Sequence, residues 1–440
     1  MASPVRRLFR VAFLAAAWVL VASRSSAAAE AGARPAAFDS LLAAPAMRLD
    51  LLERAVLERN PTLAAAVAAA AEADARADAA GSVTSPMLEG MVAPRALGNE
   101  DVAAPGYQVG LSQSLPFFGS RGFEQSAARA EARAVGEDLR AARLDLLREA
   151  RRLYYESFLV ERGLDVNRER KDLLDHVRSV AVQKYATGTA GQQDALQAEV
   201  ELAMLDHEAI VLARDRRIMR ARLNAMLHRG PGEDLPAPPD SIPDPVEGEE
   251  SLSGPDAPSM RPDVKRAEAE RDARAAEVGL AGKRRLPELT LLARYDAMWA
   301  EHEMRPMVGA EISLPFLFGR VGASQREAEA GLARREQERL AAIDRARLEI
   351  EESLARVQET RHEIHVIETG VLPATKRALA SVRSAYESNR SDFAALLTAE
   401  RDLALARLDG QRARVAYRLA LADYERAIAR EAGAALEAPR

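Results

Sequence analysis

The chain has 440 residues, 48% hydrophobic but only 5% aromatic and 29% charged, with a formal net charge of −6 and no cysteine. The charge is spread along the chain without a basic stripe, which argues against nucleic acid as a partner. The lack of cysteine excludes disulfides, cysteine-ligated metal and a lipid attached through an N-terminal cysteine.

Residues 1–29 read as a secretory signal peptide. Arg6, Arg7 and Arg10 form the charged start, Val11 to Val21 the apolar middle, and Ala27, Ala28 and Ala29 the small residues for cleavage. An N-terminal anchor is the alternative, but the apolar run is too short for roughly 30 Å of hydrocarbon. The mature chain then starts near Glu30. No later segment holds 18 consecutive apolar residues, so any membrane-spanning part has to be built from strands.

Residues 30–229 form a first structural unit. Residues 47–80 read as a helix ended by Gly81 and Ser82, and 86–94 and 106–115 as strands. In the second strand Tyr107, Val109, Leu111 and Leu115 alternate with Gln108, Gly110, Ser112 and Ser114. This is a period of two with one apolar and one polar face. A helix over 119–184 follows, without proline, allowing about 66 residues or roughly 100 Å. Its apolar positions step by three and four from Leu139 to Leu164, the spacing of a coiled-coil seam. The turn Tyr185 to Gly191 reverses the chain into a helix over 192–229.

Residues 230–258 are rich in proline and polar residues and read as an irregular connector. A second unit, 259–432, repeats the first at an offset of about 200 residues. It has strands at 287–297 and 306–314, a long helix over 319–387, a turn, and a return helix over 392–432, with a tail at 433–440. Val109 to Phe117 matches Val308 to Phe316, Tyr185 matches Tyr386, and Leu196-Gln197-Ala198-Glu199 matches Leu397-Thr398-Ala399-Glu400. Gly188 and Asn389 take equivalent places in the turns, and both residue types accept the left-handed conformation that closes a helix. Gly370 and Pro373 should kink the second long helix, and Arg361 interrupts its seam.

Such long helices belong to an elongated bundle or tube. The one-sided strands suit either a soluble two-sheet sandwich or a membrane barrel, and pattern alone favours the sandwich. Four strands per chain cannot close a barrel, and open edges in lipid leave backbone groups unpaired. A trimer would supply twelve strands.

The duplicated layout, the Leu-Pro-Phe after each second strand and the tip pattern Tyr-x-x-Gly/Asn-x-x-x-x-x-x-Leu-x-Ala-Glu resemble the TolC-like outer-membrane factors, over residues 48 to 432. Gln113 to Gly119 looks most like the CzcC/CusC-like heavy-metal efflux branch. The resemblance implies a mainly α fold: a trimeric 12-stranded β-barrel in outer-membrane lipid of a Gram-negative cell, continued by an α-helical coiled-coil tunnel in the periplasm. It implies a passive exit duct, not an enzyme, without a cofactor, working as a homotrimer with a periplasmic adaptor and an inner-membrane RND-type pump. The connector would lie at the tube's equator. The turns, with Tyr185, Gly188, Gly191, Tyr386, Asn389 and Ser391, would form the tip that docks the adaptor. Alternatives are a duct for drugs or secreted protein and, in another class, a periplasmic coiled-coil adaptor or scaffold.

Many relatives ring the entrance with acidic residues just after the second turn. The positions here are Ala395 and Thr398, while the first copy has Asp194 and Gln197. Asp194 is either a cation-attracting entrance group or a helix N-terminal aspartate. His362 and His365 could hold a metal weakly or lie on a solvated helix face. Met298, Met304 and Met307 with His302 could suit Cu(I) or Ag(I) or be apolar fill. No metal site is assigned.

Overall fold

The computed structural model describes residues 36–92, 107–115, 119–188, 191–246, 256–297, 302–313, 320–388 and 390–430, with single positions 248, 254 and 299. The expected signal peptide, Asn389, Met298, most of both Leu-Pro-Phe segments and the tail after 430 lie outside the described residues.

The elements run α1 (Ala36–Ala43), α2 (Leu49–Arg59), α3 (Pro61–Ala80), β1 (Met87–Val92), β2 (Tyr107–Leu115), α4 (Ser120–Ala186) and α5 (Gln192–Met226). After the connector come the one-turn α6 (Ala257–Met260), α7 (Pro262–Lys283), β3 (Leu289–Asp296), β4 (Pro306–Ile312), α8 (Arg320–Val366), a π-turn (Ile367–Val371), α9 (Leu372–Glu387) and α10 (Phe393–Ala427). Among the described residues no helix is long and apolar enough to cross a membrane.

The helix expected over 47–80 is two helices. Pro61 forces Asn60 into an extended conformation, φ −71° and ψ 121°. The Asn60 side chain then accepts from the backbone N–H groups of Thr62 and Leu63 at 2.9 and 3.3 Å, so it caps α3. Its amide also donates to the carbonyl of Met226 at 3.0 Å, tying α3 to the end of α5. The second unit makes the same tie with a different residue. Arg261, 201 positions after Asn60, donates to the carbonyl of Ala427 at 3.3 Å. Arg261 is only 2% exposed and also holds Asp263 at 2.8 Å and Glu349 at 2.5 Å. Both return helices end on a left-handed non-glycine residue, His228 at φ 53° and Ala429 at φ 55°. The duplication thus reaches local hydrogen bonding.

α4 runs unbroken for 67 residues. Its counterpart is interrupted: the π-turn takes up Gly370, and Pro373 follows in the first turn of α9. Opposite this irregularity, Gly410 of α10 lies close to Ile367 and Leu372. The first hairpin carries Glu169 and Asp172 at the places of Gly370 and Pro373, and its helix continues.

The four strands form one antiparallel sheet in the order β1-β2-β3-β4. β1 and β4 are its free edges. Below it, α3 packs on α4, α4 on α7, and α7 on α8. Further down, α5 packs on α4, α4 on α10, and α10 on α8 and α9. Each layer is therefore a curved wall, open at both ends. The main core lies where α2, α4 and α5 meet the connector, around Leu52, Val56, Leu153, Phe158, Leu223 and Ile242. There Arg151 bridges Glu53 at 2.5 Å and Glu425, joining α4 to α2 and α10. Among the described connector residues, the backbone of Ala237 accepts from Met47 and that of Pro243 from Arg418, so this segment straps the bundle at mid-height.

Candidate functional site

The sheet register decides between the two readings of the strands. Val109 faces Tyr295, Leu111 faces Ala293, and Leu115 faces Leu289 across β2 and β3, and Ala293 faces Val308 on β4. These apolar side chains share one face, and none of the described residues covers it: Leu111 is 49% exposed and Val308 90%. The polar side chains point the other way. Gln108 and Asp296, opposite each other, are 7% and 8% exposed. Arg294, on the same inner face, reaches Glu89 of β1 at 3.6 Å. A soluble sandwich buries its apolar faces. A sheet with a bare apolar outside and a polar inside is the wall of a membrane barrel around water.

At the far end of the bundle the two helix reversals meet. Gly188 adopts φ 71°, a conformation glycine takes without strain. Gly191 is extended and precedes α5. The matched tyrosines diverge: Tyr185 is half exposed, whereas Tyr386 is buried against Phe393, ring centroids 5.9 Å apart. Lys184 of the first hairpin covers the Tyr386 ring at 4.0 Å and donates to its backbone carbonyl at 3.0 Å. A cluster of Leu174, Val177, Ala181, Ala198, Leu202 and Leu396 backs this clasp. The Tyr386 hydroxyl is buried without a hydrogen-bond partner among the described residues. Ser391 is half-buried in the second turn.

Asp194 sits in the first turn of α5. Its pKa is raised, first by burial and then by the charge of Asp392, against the pull of Lys184. Burial and the field of Asp194 likewise raise the Tyr386 phenol. Asp392 escaped the sequence reading because comparison of matched positions led only to Ala395 and Thr398. It lies three residues earlier, caps α10 by accepting from the Ala395 N–H at 2.8 Å, and brings a second carboxylate into the neighbourhood of the first. Asp-x-x-Ala before an apolar helix is a cap signal that could have revealed it. Lys184 was missed too, and no local pattern marks it.

Met298 lies outside the described residues, and the other histidine and methionine candidates are spread over different elements. His362 and His365 are exposed on α8, Met304 is exposed in a short turn, and Met307 is on the inner face of β4. No group of three or more histidine, aspartate or glutamate side chains among the described residues could hold a metal ion.

The profile of the family described as outer membrane efflux protein matches residues 52–228 and 255–430, once for each unit. The chain belongs to this family. Solved structures share the fold. One, CusC, is 20% identical, with a TM-score of 0.76 over 87% of this chain and 92% of that one. VceC from Vibrio cholerae is 20% identical, with a TM-score of 0.72 over 87% and 96%. The open state of MtrE from Neisseria gonorrhoeae is 22% identical, with a TM-score of 0.72 over 87% and 89%. No curated protein matches the sequence. The efflux protein is therefore an outer-membrane channel of tripartite pumps that extends into the periplasm, and three chains close its twelve-stranded barrel. It is a conduit and not an enzyme. The adaptor alternative falls with the family match.

Proposed function

We propose that this efflux protein is the exit duct for heavy-metal cations, receiving them in the periplasm from an RND-type pump through an adaptor docked at the hairpin tips. The acidic pair Asp194 and Asp392 beside the clasp carries the reading. In a trimer the pair would amount to six carboxylates at the hairpin tips, where weakly screened like charges attract cations. The tip turns, with Tyr185 exposed and Gly188 shaping the reversal, supply the docking surface. The likeness of Gln113 to Gly119 to the metal branch points the same way.

The test is complementation of a Gram-negative strain lacking its own metal duct, with a metal-type pump and adaptor supplied. The wild-type chain should restore resistance to metal salts, and Gly188→Val should abolish it while trimer and membrane insertion persist. Restored resistance to drugs alone, with a drug-type pump, would replace the metal reading with drug efflux.

A further inference from the structure

Above the tip clasp the two hairpins part around a groove of about 300 Å³. α4 and α5 form one side and α9 and α10 the other, so a single chain builds it and a trimer carries three. Its floor includes Leu174, Val177, Leu205 and Leu403, all buried and drawn from both hairpins. The volume lies at the lower end of the roughly 300–1,000 Å³ typical of small-molecule sites.

The charges around it are unevenly committed. Arg170 is paired with Glu208 at 3.4 Å, and Arg407 with Glu169 at 3.3 Å. Arg383 of α9 and Arg401 of α10, both exposed and lining the groove, form no ion pair with any described residue. Two carboxylates also line it, Glu201 and Glu400. Burial raises the pKa of Glu400, opposed by Arg383 and Arg407, so Arg383 lies in the field of this carboxylate without an ion pair to it. What remains is an apolar slot lined by two exposed guanidinium groups without an ion pair among the described residues, each able to grip a carboxylate or sulfonate through two parallel hydrogen bonds.

We propose that this groove binds a small amphipathic anion, its apolar body on the leucine floor and its acid group on Arg383 and Arg401. Because the floor belongs to both hairpins, an occupant bridges them and opposes their separation. The groove is thereby a regulatory ligand site.

The probe is 2-naphthoate, titrated by calorimetry into the intact trimer in lipid nanodiscs, with empty nanodiscs as the blank. Saturable binding is expected at three sites per trimer. A 2-naphthyl-trimethylammonium analogue should bind at least tenfold more weakly. The double variant Arg383→Gln/Arg401→Gln, at exposed positions, should lose at least tenfold in naphthoate affinity while the trimer keeps its thermal stability, since it removes charge-assisted hydrogen bonds. In single-channel records naphthoate should lengthen closed times in the wild type only. Absence of saturable binding above the blank, equal binding of the cationic analogue, or binding unchanged in the double variant would each overturn the proposal.

Discussion

Replacing Leu111 by arginine tests which face of the sheet meets lipid. Leu111 is the fifth of the nine residues of β2. Nine residues at about 3.4 Å span about 30 Å, and a tilt of about 40° leaves about 23 Å of height, close to the ~25 Å apolar band of a membrane barrel. Leu111 thus sits near mid-membrane. Arginine there should destabilise by about 2–4 kcal/mol per site, or about 6–12 kcal/mol per trimer if the three sites act independently. Ser112, one residue on, faces the polar interior, and Ser112→Arg should change stability by less than about 1 kcal/mol. The assay is urea unfolding of the trimer in lipid vesicles, followed by its heat-modifiable gel migration. Leu111→Arg should lower the midpoint sharply or prevent insertion. If Ser112→Arg were the more damaging variant, the assignment of faces would be wrong.

At the tip, Lys184→Gln removes the ammonium from the Tyr386 ring, a contact of about 0.5–2 kcal/mol. Channel openings in planar bilayers should become about 2- to 30-fold more frequent, and unchanged gating would show that the clasp does not hold the hairpins. The raised pKa of Asp194 means that the clasped tip is favoured while this acid is protonated, and that contribution fades as pH rises through the raised value. Openings should therefore grow rarer on acidification toward the ordinary aspartate value of 3.8, and Asp194→Asn should flatten the pH profile; an unaltered profile would remove Asp194 from the gating charge. Asp194→Asn should also reduce cation preference in the opened channel more than neutralising Glu400 does, as reversal potentials in a salt gradient would reveal. In the upper tunnel, a Cβ on Gly279 would lie 2.3 Å from the Phe123 ring, whereas one on Gly282 meets nothing within 4 Å. Gly279→Ala should destabilise the trimer by about 1–3 kcal/mol in thermal unfolding, and Gly282→Ala should stabilise it by about 0.5–1 kcal/mol.

The sequence exposed the architecture because its signals are periodic. Alternation at Tyr107 to Leu115, steps of three and four from Leu139 to Leu164, and the offset copies are properties of the string itself. Which face of β2 is solvated by what is not such a property. Alternation defines two faces, and the exposure of Leu111 and Val308 among the described residues identifies one as lipid-facing. The break at Asn60 was readable, since Asn-Pro is a cap followed by a proline suited to the first helical position. The tip was the least legible part. Tyr185 and Tyr386 match in sequence, yet one is exposed and the other buried, because Lys184 and Phe393 cover the second ring. Lys184 and Tyr386 are 202 residues apart, and contacts across copies follow no local spacing.

The two open margins of the sheet constrain how the channel is made. Along β1 and β4 a single chain presents unpaired N–H and C=O groups, and in hydrocarbon each such group is destabilising by several kcal/mol. A lone subunit embedded in the bilayer is thus a state the assembly route must avoid. Chains have to find one another before or during insertion, and the sheet seals in the step that admits it to the membrane. Insertion kinetics should then depend on a high power of subunit concentration, approaching third order when encounter limits the rate, and a dilute supply of chains should accumulate outside the bilayer instead of as inserted fragments of barrel.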